Sequence, residues 1–410
     1  MKITGVETFL LRAGPPQGVA GQTEGASATV ATATGLPFGA TRHWLFLEIH
    51  TDAGIVGVGE GSGWPLVVEA AVRDLAPVLI GEDPTHIERL WLKMRAAMGS
   101  HGITGTVGGG ALSALEMALW DIKGKALDTP VWNLLGGRVR NRIRVYAHAS
   151  TPTHAKACIA LGYTALKTGG VAKPLEKVAI LREAVGLDVD LMVDLHGPPD
   201  LTTKDAMVVG RELEPFRLLF WEEPVSCENW EGLARLRDAV AIPLATGERL
   251  ATVWEFQRLL AQGCADVLQP DTGRCGGILQ MRKVAALAEA SFASMAPHSG
   301  SLGPIAEYAA LHVLASIPNA LILERFSHDW PGREAVATPP VQVVDGHIAV
   351  PDRPGLGVEL VKPELGKHPP GRNAGIRPTA GSGTYEEGTF EEHVQVQTRW
   401  RRARYFSGNA

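Results

Sequence analysis

Cysteine is scarce in this sequence, and its few thiols show no pattern that would build a disulfide framework or a zinc site. The 410 residues contain only four cysteines, Cys158, Cys227, Cys264 and Cys275, and no two of them form a Cys-x-x-Cys pair. Zinc-binding and redox-active thiols commonly use that spacing, and disulfide-stabilised proteins are usually small and rich in cysteine. The cysteines therefore indicate a reduced protein with incidental thiols.

Long apolar runs and a strong net charge are also missing. No stretch approaches the ~20 apolar residues that cross a bilayer, and residues 1–8 carry an acid where a signal peptide would be apolar. A formal net charge of −5 gives no reason to expect nucleic acid or an anionic membrane as a partner. We expect a cytoplasmic protein, with a homo-oligomer as the default assembly.

What is present describes an ordinary soluble enzyme of two units, because 410 residues exceed one average domain. Residues 1–130 contain a strand, a hairpin whose turn lies at 51–54, and three stretches of helical periodicity. This pattern predicts an N-terminal α+β capping domain. Residues 14–40 are rich in Gly, Ala, Thr and Pro and almost uncharged. They are either a linker or a mobile flap over a substrate.

Beyond residue 140 the pattern changes to short apolar runs that alternate with amphipathic segments. Eight runs follow one another at steps of 20 to 28 residues, near Val145, Ala165, Met192, Phe220, Leu244, Val267, Ser294 and Ile322. Such alternation predicts an α/β fold with a closed (β/α) barrel, a modified TIM barrel, over residues 140–330. An Asp345-Gly346 hairpin signal indicates that residues 331–365 return to the capping domain, and residues 366–410 form a Gly-rich tail.

Three acids occur where successive predicted strands end. Asp194, Glu222 and Glu248 are separated by 28 and 26 residues, the length of one strand, one helix and two loops. The functional residues of (β/α) barrels lie at the C-terminal ends of the strands, so these carboxylates should converge. Oxygen ligands of this kind suit a hard divalent cation such as Mg²⁺.

Two later strand ends carry an acid and an imidazole that can pair. Asp271 and His298 lie 27 residues apart, after the predicted sixth and seventh strands. A carboxylate beside a histidine fixes the tautomer of the ring and raises its basicity, as a general base requires. The second strand ends in Lys167 and the eighth in Glu324, which add a cation and another acid to the same rim.

Taken together, these residues resemble the enolase superfamily, and within it the mandelate racemase-like acid-sugar dehydratases. The resemblance covers nearly the whole chain. Its ordered motifs are Gly57-Val-Gly-Glu60, Ala118-Leu-Trp-Asp-Ile-Lys-Gly124, Asp194-Leu-His-Gly197, Glu222-Glu-Pro224, Gly247-Glu-Arg249, Gln269-Pro-Asp271, Ala296-Pro-His298 and Gly355-Leu-Gly-Val358. It implies a Mg²⁺ ion bound by Asp194, Glu222 and Glu248. It also implies removal of the proton α to a carboxylate, which gives an enediolate that the metal stabilises.

Glu222 has to be distinguished from Glu223, because adjacent strand residues point to opposite faces and only one can easily reach a metal. The resemblance selects Glu222. Racemases of the family carry Lys-x-Lys at the end of the second strand, where the second lysine is a base. Here the triplet is Lys167-Thr168-Gly169, so that base is missing, although Lys167 can still bind the substrate carboxylate.

In the dehydratase-like members that the chain resembles, one group removes a proton and another protonates the departing hydroxyl. We assign His298 as the base, oriented by Asp271, and His196 as the acid, two residues beyond the first metal ligand. Glu324 would hydrogen-bond the substrate carboxylate as it becomes an enediolate, provided that it is protonated or bridged. His148 ends the first strand, where it is either a substrate contact or a structural residue, and the structural role is favoured.

The function predicted from the sequence is a Mg²⁺-dependent dehydratase that turns an aldonic or related sugar acid into its 2-keto-3-deoxy product. A racemase or epimerase is the alternative, since two histidines can flank the α-carbon. A non-catalytic metal-binding or assembly protein on the same barrel is a third hypothesis. The sequence does not name the sugar. We expect the flap, the loop at 168–173 and the end of the eighth strand to determine it.

Overall fold

The computed structural model describes residues 1–14, 42–99, 105–170, 174–195, 200–300, 302–327 and 329–370. The chain begins with a three-stranded antiparallel sheet of β1 (Ile3–Ala13), β2 (Arg42–Thr51) and β3 (Val56–Gly61), in the order β1-β2-β3. The turn between β2 and β3 contains Gly54 at φ +76°, a conformation that glycine adopts without strain. The predicted hairpin is confirmed.

Three helices cover this sheet: α1 (Pro65–Leu79), α2 (Ile87–Ala97) and α3 (Thr106–Ala126). The sequence predicts one apolar face on α3, but the helix is buried on nearly all sides. The reason is its position between β3 and the helices of the second domain. On the β3 side, a Cβ at Gly59 would lie 1.9 Å from the carbonyl oxygen of Ala114, so only glycine allows this approach.

After the short α4 (Val131–Leu134), strands and helices alternate as predicted. The strands are β4 (Arg142–His148), β5 (Ala165–Gly169), β6 (Asp190–Asp194), β7 (Phe220–Glu222), β8 (Leu244–Thr246), β9 (Val267–Leu268), β10 (Ser294–Met295) and β11 (Leu323–Glu324). The helices between them are α5 (Pro152–Ala160), α6 (Pro174–Val185), α7 (Thr203–Leu213), α8 (Trp230–Ala239), α9 (Thr252–Ala261), α10 (Ile278–Ala290) and α11 (Pro304–Ser316). Side chains of Thr151, Thr202 and Asn229 cap the N-termini of α5, α7 and α8.

The eight strands close into a parallel barrel. Neighbours pair in sequence order from β4 to β10, β11 pairs with β4, and a bridge between Met295 and Ala320 joins the last two strands. Each strand, or the residue beside it, contributes one side chain to an interior layer: Tyr146, Ala165, Met192, Phe220, Ala245, Val267, Ala296 and Ile322. The barrel is therefore filled by side chains and is not a pore.

The C-terminal residues return along two paths. Asp345 and Gly346, at φ +48° and +67°, form the predicted turn between β13 (Val343–Val344) and β14 (His347–Ala349), which follow β12 (Ala337–Thr338). This hairpin does not reach the capping domain, because β14 pairs antiparallel with the start of β4. The prediction that this hairpin returns to the capping domain is therefore wrong. The hairpin pairs with β4 because the start of that strand lies before its pairing within the barrel and offers backbone groups to a partner.

The residues after the hairpin do complete the capping domain. The Leu356 amide donates to Asp121 on α3 at 2.7 Å, and the Gly355 carbonyl accepts from the Val131 amide at 3.0 Å. β15 (Glu359–Leu360) pairs with β12, and α12 (Lys362–Leu365) follows it. Beyond α12, the His368 carbonyl accepts from the amide of Arg12 on β1. The predicted architecture, a barrel with an N-terminal cap closed by C-terminal residues, is confirmed.

In the described part of the chain, no helix has the length and apolar character needed to cross a membrane. All four cysteines are free thiols. Residues 15–41, which include nearly all of the predicted flap, and residues 371–410, most of the predicted tail, lie outside the described residues.

Candidate active site

Five of the predicted site residues lie at one end of the barrel because they continue the alternation of its strands. Side chains two positions apart on a strand face the same side. Asp194 lies two residues after the interior Met192, Glu222 two after Phe220, and Lys167 two after Ala165. Glu324 and His298 bear the same relation to Ile322 and Ala296. The sequence analysis selects Glu222 and not Glu223 as the residue that can reach a metal, and Glu222 is the one that this alternation places on the inner side.

Lys167 connects three acids of the site. Its Nζ lies 2.8 Å from Glu222 Oε2, 2.8 Å from Glu324 Oε1 and 3.5 Å from Asp194 Oδ2. The side chain is only 3% exposed. Burial opposes the charge, but the carboxylates of Glu222 and Glu324 outweigh it and hold the pKa of Lys167 well above its ordinary value. Lys167 is therefore a buried, permanently charged ammonium group.

Negative charge nevertheless exceeds positive charge around Glu222. Its side chain is fully buried, and burial together with the charge of Asp194 raises its pKa to about 8. Its Oε1 accepts no hydrogen bond from any residue that the structure describes. An unmatched carboxylate oxygen among like charges is the environment that a divalent cation would satisfy. The residues present thus fit a Mg²⁺ ion.

Glu248 links the acids to the imidazole. It follows Gly247, whose φ of +129° breaks the strand conformation after β8. His298 Nε2 lies 3.1 Å from Glu248 Oε2, and His298 Nδ1 lies 2.7 Å from Asp271 Oδ2. Burial disfavours the charged ring, but Glu248 and then Glu324 raise the pKa of His298 to about 9. The predicted pairing of Asp271 with His298 is present.

The loop that carries Asp271 is fastened to the capping domain. The Ser62 amide donates to the Gly273 carbonyl at 2.9 Å, and the Gly276 amide donates to Ser113 Oγ at 2.9 Å. Glu116 of α3 accepts from the amides of Ile278 and Leu279, at 2.7 and 2.8 Å, where α10 begins. The cap therefore fixes the loop from which Asp271 orients the imidazole.

Glu324 is an ionised carboxylate in this structure. Its Oε2 accepts from the amides of Ser299 and Gly300, both at 2.9 Å, and its Oε1 contacts Lys167. Burial favours the protonated form, but the charge of Lys167, followed by that of His298, holds the pKa well below its ordinary value. The role predicted for Glu324 at the substrate carboxylate stays a prediction.

Glu223 occupies a different environment from Glu222. Its backbone has φ +38°, and Arg249 Nη2 lies 3.3 Å from its Oε2. Burial, and then the charge of Glu248, raise its pKa well above the ordinary value. Arg274 contacts Asp271 Oδ2 through Nε at 3.1 Å. The two arginines thus pair with acids around the site.

His196 lies outside the described residues, so the structure does not place its side chain. Its neighbour Leu195 is buried, one residue beyond Asp194. Residues 171–173 of the strand-two loop lie outside as well.

His148 lies beside Glu324 at the rim of the barrel. Its Nε2 lies 2.7 Å from Glu324 Oε1, and its ring stacks on Phe326 with centroids 4.3 Å apart. The alternation of the strand also places this side chain, because His148 lies two residues after the interior Tyr146 and so faces the same side of β4.

The family of the chain follows from comparison with known proteins. Residues 17–136 match the model of the mandelate racemase/muconate lactonizing enzyme N-terminal domain, and residues 151–364 match the enolase C-terminal domain-like model. The chain belongs to this branch of the enolase superfamily.

Curated relatives make the comparison more specific. The chain is 39% identical over 343 residues to D-galactonate dehydratase of Klebsiella pneumoniae (strain 342), covering 77% of this chain and 88% of that protein. It is 40% identical over 347 residues to the enzyme of the same name from Xanthomonas campestris pv. campestris (strain B100), covering 78% and 90%. The chain is thus an enzyme, and these relatives are hydro-lyases.

Solved structures share the fold over most of the chain. The 3,6-anhydro-D-galactonate cycloisomerase from Zobellia galactanivorans superposes with a TM-score of 0.78 at 30% identity, covering 90% of this chain and 99% of that one. A mandelate racemase/muconate lactonizing enzyme-like protein from Roseovarius sp. TM1035 superposes with a TM-score of 0.80 at 32% identity, covering 94% and 99%.

Proposed function

We propose that this protein is a Mg²⁺-dependent dehydratase of an acid sugar, an aldonate or a related acid. The observation that supports this most strongly is the Asp271–His298 pair, which directs an imidazole into a cluster of buried carboxylates. A base beside a cation site is the arrangement needed to remove a proton α to a carboxylate. The relatives named D-galactonate dehydratase supply the reaction type and the class of substrate.

Asp194, Glu222 and Glu248 would hold the Mg²⁺ ion. When bound, the ion supplies positive charge that stabilises the enediolate form of the substrate carboxylate. The unmatched Oε1 of Glu222 and its raised pKa support this ligand set.

The carboxylate of the substrate would lie near Lys167 and Glu324. The ammonium group of Lys167 has three N–H donors and a charge that its surroundings hold in place. Its contacts with Glu222 and Glu324 are short, at 2.8 Å, but that with Asp194 is 3.5 Å, so one donor can turn to a substrate oxygen. Glu324 holds Lys167 and His148 in place, and the amides of Ser299 and Gly300 orient Glu324 in turn. Negative charge that develops on the substrate is thus met by groups that are already ordered.

His298 would take the α-proton on Nε2. Its Nδ1 donates to Asp271, so Nε2 carries the lone pair when the ring is neutral, and Asp271 stabilises the imidazolium that forms. His196 would then protonate the hydroxyl on the adjacent carbon as the carbon–oxygen bond breaks and water leaves. The remaining enol takes a proton and becomes the 2-keto-3-deoxy acid.

A panel of aldonates tests the proposal, with D-galactonate as the first member because it is the acid in the relatives' name. Purified protein with Mg²⁺ should convert at least one acid to a product that reacts as a 2-keto acid. Failure of every acid in the panel, with a folded and metal-loaded protein, contradicts the proposed dehydratase. Epimerisation without loss of water would instead favour the racemase or epimerase, an alternative that remains open although the second lysine is missing at Gly169.

A further inference from the structure

His148 lies at the rim of the barrel, two strands from the strand that ends in Asp194 and across the ring from the strand that precedes Glu248. The strands follow one another around the ring from β4 to β11, so β4 faces β8, four steps away in either direction. His148 ends β4, and Glu248 follows β8. His148 and Phe326 form part of the rim beside Glu324, because His148 Nε2 lies 2.7 Å from Glu324 Oε1 and its ring stacks on Phe326. A substrate whose carboxylate binds near Lys167 and Glu324 would bring its other carbons within reach of this part of the rim.

The hydrogen bonds of His148 determine what the ring can offer. Glu324 is ionised and can only accept, so His148 Nε2, at 2.7 Å, must be the donor. Burial lowers the pKa of His148, which favours the neutral ring, although the bond to Glu324 partly opposes this. In a neutral imidazole whose Nε2 donates, Nδ1 carries a lone pair. No hydrogen bond to Nδ1 is present among the described residues.

The ring is also rigid and partly accessible. Phe326 stacks on it at an interplanar angle of 29°, and Arg42 lies over Phe326 with its Cζ 5.8 Å from the ring centroid. The side chain of His148 is 27% exposed, whereas that of Glu324 is 1% exposed. A rigid ring that presents an acceptor at the rim is suited to recognising a hydroxyl group in a defined position.

We propose that His148 is a specificity-determining residue, whose Nδ1 accepts a hydrogen bond from a hydroxyl on the distal carbons of the acid sugar. This inference rests on the proposed function, because only a polyhydroxylated acid carries such hydroxyls. His148 would select the configuration and length of the sugar chain, while Lys167 and Glu324 bind the carboxylate that all such acids share. It would also favour sugar acids over apolar 2-hydroxy acids.

The test compares the parent with His148→Phe and His148→Gln over aldonates of four, five and six carbons and their epimers. Phe keeps the stacked shape without any polar atom, and Gln retains a donor and an acceptor in one side chain. His347→Phe is the matched control for the loss of an imidazole, because His347 lies on β14 at the opposite end of the barrel. The measurement is kcat/KM for each acid.

His148→Phe should lower kcat/KM for the preferred acid by about 10- to 100-fold. The same substitution should lower kcat/KM for the four-carbon acid much less and should reduce the discrimination among epimers. His148→Gln should restore part of that discrimination. If His148 only positions Glu324, every acid loses the same factor, and that result overturns the inference.

Binding separates this inference from the proposed function. If the parent converts none of the acids, the dehydratase proposal fails. Calorimetric affinities of the same acids for the parent and for His148→Phe still test whether His148 recognises the sugar. Equal affinities of the two proteins for every acid would overturn the role of His148.

Discussion

Two regions of this molecule bury carboxyl groups, and they balance them in different ways. Where the capping domain meets the barrel, Glu116 accepts from two backbone amides and from Trp120 Nε1, and Glu60 accepts from the amides of Gly303 and Ala306. At the C-terminal rim of the barrel, Glu222 instead shares one lysine with other acids and has an unmatched oxygen. Burial alone therefore does not distinguish a structural acid from a candidate metal ligand.

The pKa values illustrate the same point. Burial raises the pKa of Glu116 to about 8, and burial followed by the charge of Asp194 raises that of Glu222 to about 8 as well. The two carboxyls are thus equally perturbed, although one is surrounded by N–H donors and the other by acids. Glu307 shows a third solution: burial opposes its charge, but Arg325 and Arg333 lower its pKa. The partners of a buried acid, more than its pKa, indicate its role.

The largest expected effect is the loss of metal and activity in Glu222→Gln. Removing one carboxylate oxygen from the ligand set should reduce turnover by at least about 10³-fold and abolish detectable binding of Mn²⁺ measured by electron paramagnetic resonance. The melting temperature in the presence of chelator should hardly fall, because repulsion with Asp194 is relieved.

Glu116→Gln is the matched control for that prediction. The same chemical change at the interface leaves an amide among the N–H donors of α10 and Trp120. It should cost about 1–3 kcal/mol of unfolding free energy while Mn²⁺ still binds. If Glu222→Gln binds Mn²⁺ as the parent does, the assignment of the metal ligands is wrong.

His298→Asn should reduce dehydration by about 10²–10⁴-fold and stop exchange of the α-hydrogen with solvent deuterium. Asp271→Asn should have a smaller effect on both, because the imidazole remains but loses its orienting charge. His196→Asn should block dehydration and leave α-exchange intact, which proton NMR in deuterated solvent can follow. Exchange that survives in His298→Asn and disappears in His196→Asn would reverse the two roles.

The pH dependence of stability should report on Glu116. Its pKa is about 8 when folded and near 4.5 when unfolded. Between these values the folded protein holds a proton that the unfolded chain has lost, so the free energy of unfolding falls as the pH rises. The advantage of the parent over Glu116→Gln should therefore shrink by on the order of one to a few kcal/mol from pH 5 to pH 8. Urea denaturation at several pH values measures it, and a difference that grows with pH would contradict the buried, protonated carboxyl.

The smallest effect is expected at a surface cluster that resembles a metal site by distance alone. Ligand atoms of Glu7, Glu48 and His50 lie within 4.8 Å of one another. Lys362 Nζ contacts Glu7 and Glu48, at 3.0 and 2.6 Å, so a side chain of the protein already supplies a positive charge to these two acids. Lys362→Ala should change the unfolding free energy by less than about 1 kcal/mol and leave turnover at the parental value. A tenfold loss of turnover would show that the cluster is coupled to the active site.

The sequence predicted the barrel because short apolar runs that alternate with amphipathic segments are visible in the local pattern of residues. Acids at regular spacing follow successive strands, and two of them, Asp194 and Glu222, lie two residues after an interior residue of the barrel. Glu248 differs, because it lies three residues after the interior Ala245. Contacts between distant segments were harder to foresee. The pairing of β14 with β4, and the anchoring of the Asp271 loop by Glu116, depend on how the two domains pack, which no local pattern of residues encodes.

Dehydration in deuterated water is the most direct test of the proposed chemistry. The proposed reaction removes the hydrogen at carbon 2, expels the hydroxyl at carbon 3 and then protonates the enol at carbon 3. The 2-keto-3-deoxy acid formed by the Mg²⁺-loaded parent from a member of the aldonate panel should therefore carry one deuterium at carbon 3. A product that keeps every hydroxyl and carries deuterium at carbon 2 would contradict the dehydratase and identify an epimerase.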